Sequence, residues 1–182
     1  WLIGSQNLNY NTDYKHTGEI STDQLKSLGV EYSIIGHYER VRDFNENAVI
    51  INNKLIAALD ANIFPILCFG ENIDDDYHEA IPKILDKYLK DVENIEFIIF
   101  AYEPIFAIGT GALPSRKRIE EVISFVNEYL EDKYKKKPNL LYGGSVDSSN
   151  INDIINIEGI NGVLVGDISS NIKEVERIIQ SV

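Results

Sequence analysis

The chain has 182 residues, of which 44% are hydrophobic, and its 29 acidic and 17 basic residues give a net charge of −12. No apolar run approaches the roughly 20 residues that a membrane-spanning helix needs, and the negative charge repels the phosphates of nucleic acids and anionic lipids. We therefore expect neither a membrane span nor a nucleic-acid partner. The single cysteine, Cys68, rules out a disulfide within the chain and predicts a reducing compartment, with the cytoplasm as the default.

Six apolar, strand-like runs alternate with helix-length segments along the chain. The pattern predicts strands at residues 2–5, 32–36, 65–70, 97–102, 140–142 and 163–166, and helices at residues 21–29, 45–61, 75–90 and 115–133. Ser21 and Ser115 are the predicted N-caps of the first and last of these helices. No stretch is rich enough in Pro, Gly or Ser to be a linker between domains. The alternation therefore predicts a single parallel α/β domain over residues 1–182.

The number of elements leaves two architectures open. A closed β/α barrel has eight strands and about 250 residues, and this chain offers six strands, which would also suit an open sheet. The polar residues favour the barrel, because each follows directly on an apolar run and a parallel arrangement gathers them on one rim, where barrel active sites lie. These residues are Asn7, His37, Glu71, Glu103, Gly144 and Asp167.

Residues 101–111 are the most informative segment. Glu103 ends an apolar strand, and a loop with Gly109 and Gly111 on either side of a threonine follows at once. Ligands bind at this end of strands in parallel α/β proteins, so the segment predicts a base beside a closing lid. The alternative is that Glu103 is an ordinary loop carboxylate.

His37 follows the predicted strand at residues 32–36 and precedes Tyr38 and Glu39. If a helical turn begins there, its positive end disfavours protonation, which keeps the imidazole neutral and able to donate a hydrogen bond. The alternative is a rim histidine bonded to the backbone. Together with Glu103, a neutral donor suits proton transfer next to a carbonyl group.

Two glycine-containing loops follow the last two predicted strands, at residues 142–146 and 163–167. Glycine lets backbone amides approach a phosphate, and the Ser145 hydroxyl adds a donor. Each loop alone could be only a tight turn. Together they occupy the usual phosphate position of a β/α barrel.

Five motifs, in order, carry a resemblance to a known family. Through residues 16–21, 35–40, 65–71, 101–111 and 142–146, the chain resembles triosephosphate isomerases over essentially its whole length. The resemblance implies an α/β fold of the (β/α)8 TIM-barrel family, with units three to eight of the eight β/α units in this chain. It also implies interconversion of dihydroxyacetone phosphate and glyceraldehyde 3-phosphate through an enediolate, without a cofactor or a metal.

The resemblance assigns a role to each candidate residue. Glu103 matches the base that removes the carbon-bound proton, His37 the neutral imidazole that polarises the carbonyl oxygens, and Glu39 an acidic residue that supports the site. The lid matches residues 104–115. The implied phosphate-binding positions are Gly109 in the lid, Ser145, Gly166 and Asp167.

The family also implies a homodimer. The loop from Asn9 to Glu19 matches the long loop that reaches into a neighbouring subunit, with Thr17 at its tip near the partner's active site. We therefore expect two copies of the chain to associate through this loop.

The sequence departs from the family pattern in several places. Family members begin with two further β/α units, which carry a catalytic lysine, whereas this methionine-free sequence opens at Trp1 inside an apolar run. We therefore expect it to be a piece of a longer chain, and a poor enzyme as it stands. Single-residue departures are Tyr38 for Ser, Val41 for Arg, Phe106 for Trp and Asp167 for Gly.

Three functional hypotheses remain open from the sequence. The first, favoured by the joint match of base, histidine, lid and phosphate loops, is an isomerase whose N-terminal part is absent from this sequence. The second is a non-catalytic relative that binds a phosphosugar or a protein through the barrel rim. The third is a different α/β enzyme acting on another phosphorylated metabolite.

Overall fold

A computed structural model describes residues 1–11, 15–108 and 114–181. Across these residues six parallel strands form one sheet in the order of the sequence, from β1 to β6. This is the α/β arrangement predicted from the alternating pattern, and it corresponds to six of the eight units of a barrel. The strands are β1 Gly4–Ser5, β2 Tyr32–Ile35, β3 Phe64–Phe69, β4 Ile99–Tyr102, β5 Asn139–Tyr142 and β6 Gly162–Val163.

Helices connect the strands, as parallel pairing requires. Within the described ranges no helix is long and apolar enough to cross a membrane. Short 3₁₀ turns follow β4 at Ile105–Ala107 and β6 at Asp167–Ser170. The α-helices are α1 Thr22–Ser27, α2 Tyr38–Phe44, α3 Ala48–Asp60, α4 Tyr77–Tyr88, α5 Arg116–Tyr134, α6 Ile151–Ile155 and α7 Ile172–Gln180.

The helix predicted at residues 45–61 starts three residues later than expected. Asn45 adopts a left-handed backbone conformation with φ of 54°, which ends α2. Asn47 then accepts hydrogen bonds from the backbone amides of Val49 and Ile50 and so caps α3. The two asparagines therefore separate α2 from α3, and α3 begins at Ala48 rather than at Asn45.

Side-chain caps begin the other two helices whose starts the sequence marked. Ser21 and Gln24 form a reciprocal capping box at α1. Ser115 accepts from the backbone amide of Arg118 at the start of α5. The predicted caps are confirmed at both positions.

The hydrophobic core lies between the sheet and its helices. Alternate strand residues face the helices and are almost completely buried, among them Leu67, Phe100 and Tyr142. They pack with the apolar faces of α3, α4 and α5 in one cluster. Residues on the opposite face of the sheet, such as Ile66 and Ile99, are only half-buried. The helix side of the sheet therefore provides most of the apolar burial that stabilises the fold.

Strand register brings the ends of the three central strands to one level. Phe69 of β3 pairs with Tyr102 of β4, and Tyr102 pairs with Tyr142 of β5. The next residue on each strand is therefore also level with its neighbours, and these residues are Gly70, Glu103 and Gly143. This register places Glu103 between two glycines at the carboxyl end of the sheet.

A buried charge cluster joins the end of β1 to α2 and α3. The Lys54 ammonium lies 2.6 Å from Glu46 Oε1 and 2.6 Å from Asn7 Oδ1. Arg40 also contacts Glu46 Oε1, at 2.7 Å. Both side chains of the Lys54–Glu46 pair are only 5% exposed. Because water screens this pair little, the loss of Lys54 leaves the buried Glu46 carboxylate to Arg40 alone, and the loss of Glu46 leaves the buried Lys54 ammonium without its carboxylate.

We predict that Lys54→Met destabilises the fold by about 3 kcal/mol, measured as the free energy of unfolding in urea. The matched control is Lys83→Met, which removes a lysine from the exposed Lys83–Glu79 pair on α4. That variant should lose at most about 0.5 kcal/mol. Equal losses in the two variants would contradict a structural role for the buried cluster.

Candidate active site

The candidate site lies at the carboxyl ends of β2 to β5. His37 precedes the first residue of α2, and Glu103 follows the last residue of β4. His37 Nε2 and Glu103 Oε1 are 3.4 Å apart. The structure therefore brings together the two residues that the sequence singled out as donor and base.

Glu103 is held in a closely packed environment. Its carboxyl is 3% exposed, and a Cβ added at Gly143 would lie 2.8 Å from Glu103 Cγ. At Gly70, an added Cβ would collide with the Glu103 backbone carbonyl. The Glu103 amide donates to the Phe69 carbonyl at 2.8 Å. Glycine is thus required on both neighbouring strands for Glu103 to occupy this position.

Burial raises the pKa of the Glu103 carboxyl to about 8. Hydrogen bonds from the Cys68 thiol and the Tyr38 backbone amide act in the opposite direction, and the nearby Glu39 carboxylate raises the pKa further. Desolvation dominates because the charged form loses more hydration than two donors replace. The result is a carboxylate with a much greater affinity for protons than an exposed glutamate.

The hydrogen bonds of His37 define its tautomer. Nδ1 accepts a hydrogen bond of 3.3 Å from the backbone amide of Glu39, so the proton of the neutral ring is on Nε2, facing Glu103. Burial lowers the pKa of His37; the Glu39 carboxylate raises it, and Arg42 lowers it further. The ring is therefore neutral with its Nε2 proton directed towards Glu103, and burial, rather than the helix start at Tyr38 on which the prediction rested, is the largest cause of the lowered pKa.

Glu39 lies beside the imidazole without a direct hydrogen bond to it. Its Oε2 is 3.9 Å from His37 Nδ1, and its side chain is 57% exposed. Its backbone amide, however, contacts the ring. In this structure Glu39 acts on His37 through its amide and its charge.

The predicted phosphate-binding residues take different positions. Ser145 Oγ donates to the carbonyl of Ala107 at 2.8 Å, which links the loop after β5 to the 3₁₀ turn after Glu103. Gly166 and Asp167 are exposed beyond the end of β6, at the same end of the sheet. Gly109 lies outside the described residues, as do residues 110–113 of the predicted lid.

Sequence reasoning missed two contributors to the site. Cys68 donates to Glu103, although a lone cysteine within an apolar strand gave no sign of this contact. Gly70 makes room for the Glu103 backbone. Period-two alternation could have placed Cys68 on the same face as Gly70, and the parallel register could then have set both beside Glu103.

The raised pKa of Glu103 predicts a pH dependence of stability. Between its ordinary value of 4.5 and about 8, the folded protein keeps the Glu103 proton and the unfolded chain releases it. Stability from this group is therefore complete below pH 4.5 and is lost as the pH rises towards 8. Relative to wild type, Glu103→Gln should gain roughly 4 kcal/mol between pH 4.5 and 8, measured by urea unfolding. If the free energies of unfolding of wild type and Glu103→Gln changed in parallel with pH, the raised pKa of Glu103 would be refuted.

Comparison with known proteins identifies the family. The family model described as triosephosphate isomerase matches residues 1–182. A triosephosphate isomerase from Alkaliphilus oremlandii is 37% identical over 97% of this chain and 75% of its own length. One from Wolbachia sp. subsp. Brugia malayi is 38% identical over 99% of this chain and 74% of its own, and one from Ehrlichia chaffeensis is 38% identical over 97% and 72%.

These relatives share the name and cover nearly all of the chain, and the chain spans about three quarters of their length. The parallel α/β sheet and the pairing of a neutral histidine with a buried glutamate agree with the match. The chain belongs to the triosephosphate isomerase family.

Proposed function

We propose that Glu103 and His37 carry out the interconversion of dihydroxyacetone phosphate and glyceraldehyde 3-phosphate. The single observation that supports this most is the 3.4 Å approach of a buried carboxylate to the Nε2–H of a neutral imidazole. Proton transfer between neighbouring carbons of a hydroxycarbonyl compound needs one base and one donor to the carbonyl oxygen. The pair supplies both.

In the proposed mechanism the Glu103 carboxylate removes a proton from the carbon next to the substrate carbonyl. The electron pair of that C–H bond forms the enediolate, and His37 Nε2–H donates to the oxygen on which charge develops. His37 Nε2 gives its proton to that oxygen and takes up the proton of the neighbouring hydroxyl, while Glu103 returns its proton to the neighbouring carbon. One oxygen gains the proton that the other loses, so no proton or electron is gained or lost overall. The raised pKa makes the ionised form of Glu103 a stronger base, and only the ionised fraction, which grows as the pH approaches 8, can take the proton.

The remaining candidate residues have supporting roles in this proposal. Glu39 holds the tautomer of His37 through its backbone amide. We propose that Ser145, Gly166 and Asp167 bind the substrate phosphate, because they lie at this end of the sheet. Gly109 of the lid is proposed to bind the same phosphate. We also propose that residues 1–182 correspond to units three to eight of the barrel, because six β/α units follow one another in the sheet.

Replacement of the base tests the proposed function. Glu103→Ala should lower kcat by about 10²-fold or more in the interconversion of the two triose phosphates, because a positioned base is lost. The assay uses the whole protein as it is expressed from its gene. The control is Glu93→Ala, which removes an exposed carboxylate before the opposite end of β4 and should retain wild-type kcat.

If Glu103→Ala lowered kcat by only a few-fold, Glu103 would not be the base. Binding of triose phosphate by the wild-type protein without turnover would instead support the non-catalytic alternative. No turnover of triose phosphates alongside turnover of another phosphorylated metabolite would support the third hypothesis.

We further propose a homodimer formed through the loop from Asn9 to Glu19. The base of the loop is fixed, because the Asn9 amide donates to the Ile20 carbonyl at 2.9 Å. Thr17 is exposed in the turn farther along, and part of the loop, residues 12–14, lies outside the described residues. A fixed base with an exposed turn suits a loop that inserts into a second subunit.

We predict that Thr17→Asp weakens self-association, because a charge at the tip would have to be desolvated in the partner. Sedimentation velocity should show a shift from dimer to monomer relative to wild type. Asp60→Ala at the end of α3 changes an exposed acidic residue outside the loop and should leave the distribution unchanged. A monomeric wild-type protein, or a Thr17→Asp variant that stays dimeric, would contradict this interface.

A cytoplasmic location is also a proposal. Its support is the buried free thiol of Cys68, which contacts the proposed base and must stay reduced to donate a hydrogen bond to it. Fractionation of the source cells, with the protein followed by antibody, would test it.

A further inference from the structure

Glu71 is a completely buried carboxylate that the proposed mechanism does not use. It follows β3 at the carboxyl end of the sheet, one residue after Gly70. Its Oε1 accepts a hydrogen bond of 2.9 Å from the Tyr102 hydroxyl. Its backbone carbonyl accepts one of 3.0 Å from the Ile105 amide. One residue therefore contacts the chain on both sides of Glu103.

A third contact ties Glu71 to α5. Arg118 donates to the same Oε1 atom at 2.8 Å, and its guanidinium lies 4.2 Å from the centre of the Tyr77 ring. The guanidinium is therefore held from two sides. Arg118 keeps the Glu71 carboxylate in place, and Glu71 in turn holds Tyr102.

We propose that Glu71 is a positioning residue that sets the location of the base Glu103 through Tyr102 and Ile105. The inference rests on the proposed function, because it concerns the base of that reaction. Glu71 does not touch the reacting atoms. It acts by fixing the residue before Glu103 and the second residue after it, so the carboxylate between them has little freedom to shift.

The close packing around the base makes its position sensitive to such anchors. Gly70 and Gly143 leave no space for a Cβ beside Glu103, so a small movement of the backbone would bring Glu103 against either strand. A misplacement of about 1 Å at a reacting group can cost 10²-fold in rate. Removal of the Glu71 side chain keeps the backbone bond to Ile105 but frees Tyr102, and it should therefore affect chemistry more than substrate binding.

Glu71 could instead serve only to stabilise the fold. Its second oxygen, Oε2, is buried and has no hydrogen-bond partner among the described residues. A buried carboxylate with one oxygen that lacks a hydrogen bond stabilises a fold less than an apolar residue of similar size would. The geometry therefore favours positioning, and the two roles predict different kinetics.

The test compares Glu71→Ala with Glu71→Gln. The alanine variant should lose about 10- to 100-fold in kcat, with KM changed by less than about threefold. The glutamine variant keeps an oxygen that can accept from Tyr102 and Arg118, so its kcat should stay within about fivefold of wild type. Arg118→Ala should lower kcat in the same way, and the matched control Arg116→Ala, two residues earlier on α5, should not.

A second measurement does not depend on turnover. Carbon-13 NMR titration of the Glu103 carboxyl should give a pKa near 8 in wild type and Glu71→Gln, and a lower value in Glu71→Ala. The reason is that a loosened Glu103 becomes hydrated. If the wild-type protein does not interconvert triose phosphates, the proposed function fails, and the titration still decides whether Glu71 positions Glu103.

A folded Glu71→Ala protein with wild-type kcat and an unchanged Glu103 titration would overturn the proposal. If Glu71→Ala does not fold, Tyr102→Phe and Arg118→Ala are measured instead, since each removes one donor to Glu71 and keeps the carboxylate. Unchanged kcat and an unchanged Glu103 titration in both variants would likewise overturn it.

Discussion

The site depends on the burial of the Glu103 carboxylate at the carboxyl ends of three strands whose last residues lie side by side. The register of β3, β4 and β5 puts Gly70, Glu103 and Gly143 side by side. Glycine on both sides lets the strands close over the glutamate, and the resulting desolvation raises its pKa. The same geometry that makes Glu103 a strong base also makes it costly to ionise, so reactivity and stability are opposed at this residue.

Two buried carboxylates support this end of the fold in different ways. Glu46 is neutralised by Lys54 and Arg40 and joins the end of β1 to α2 and α3. Glu71 pairs with Arg118 and contacts Tyr102, the last residue of the strand before Glu103. A chain with 29 acidic residues thus places arginine and lysine where a buried carboxylate would otherwise be unpaired. Local pairing, rather than overall charge, accounts for the burial of these two acids, whereas Glu103 is buried beside a neutral imidazole.

The sequence was sufficient for the class of fold and for two helix caps, and it singled out His37 and Glu103, which the structure brings to 3.4 Å of each other. Those predictions rest on local signals, such as apolar runs, the Ser21 and Ser115 caps, and polar residues after strands. The start of α3 was predicted three residues early, at Asn45, because the left-handed backbone of Asn45 that ends α2 leaves no sign in the hydrophobic pattern. The contact of Cys68 with Glu103 and the role of Gly70 were missed because both depend on strand register, which one sequence does not specify.

The hydrogen bond from Ser145 to Ala107 has a consequence for ligand recognition. A serine hydroxyl has one proton to donate, and here the Ala107 carbonyl already accepts it. An anion that recruits Ser145 therefore exchanges one acceptor for another and does not add a bond. The net affinity that an anion gains from Ser145 then depends on whether another donor satisfies the Ala107 carbonyl that Ser145 has left. The contribution of Ser145 to anion binding therefore cannot be separated from that of the segment after Glu103.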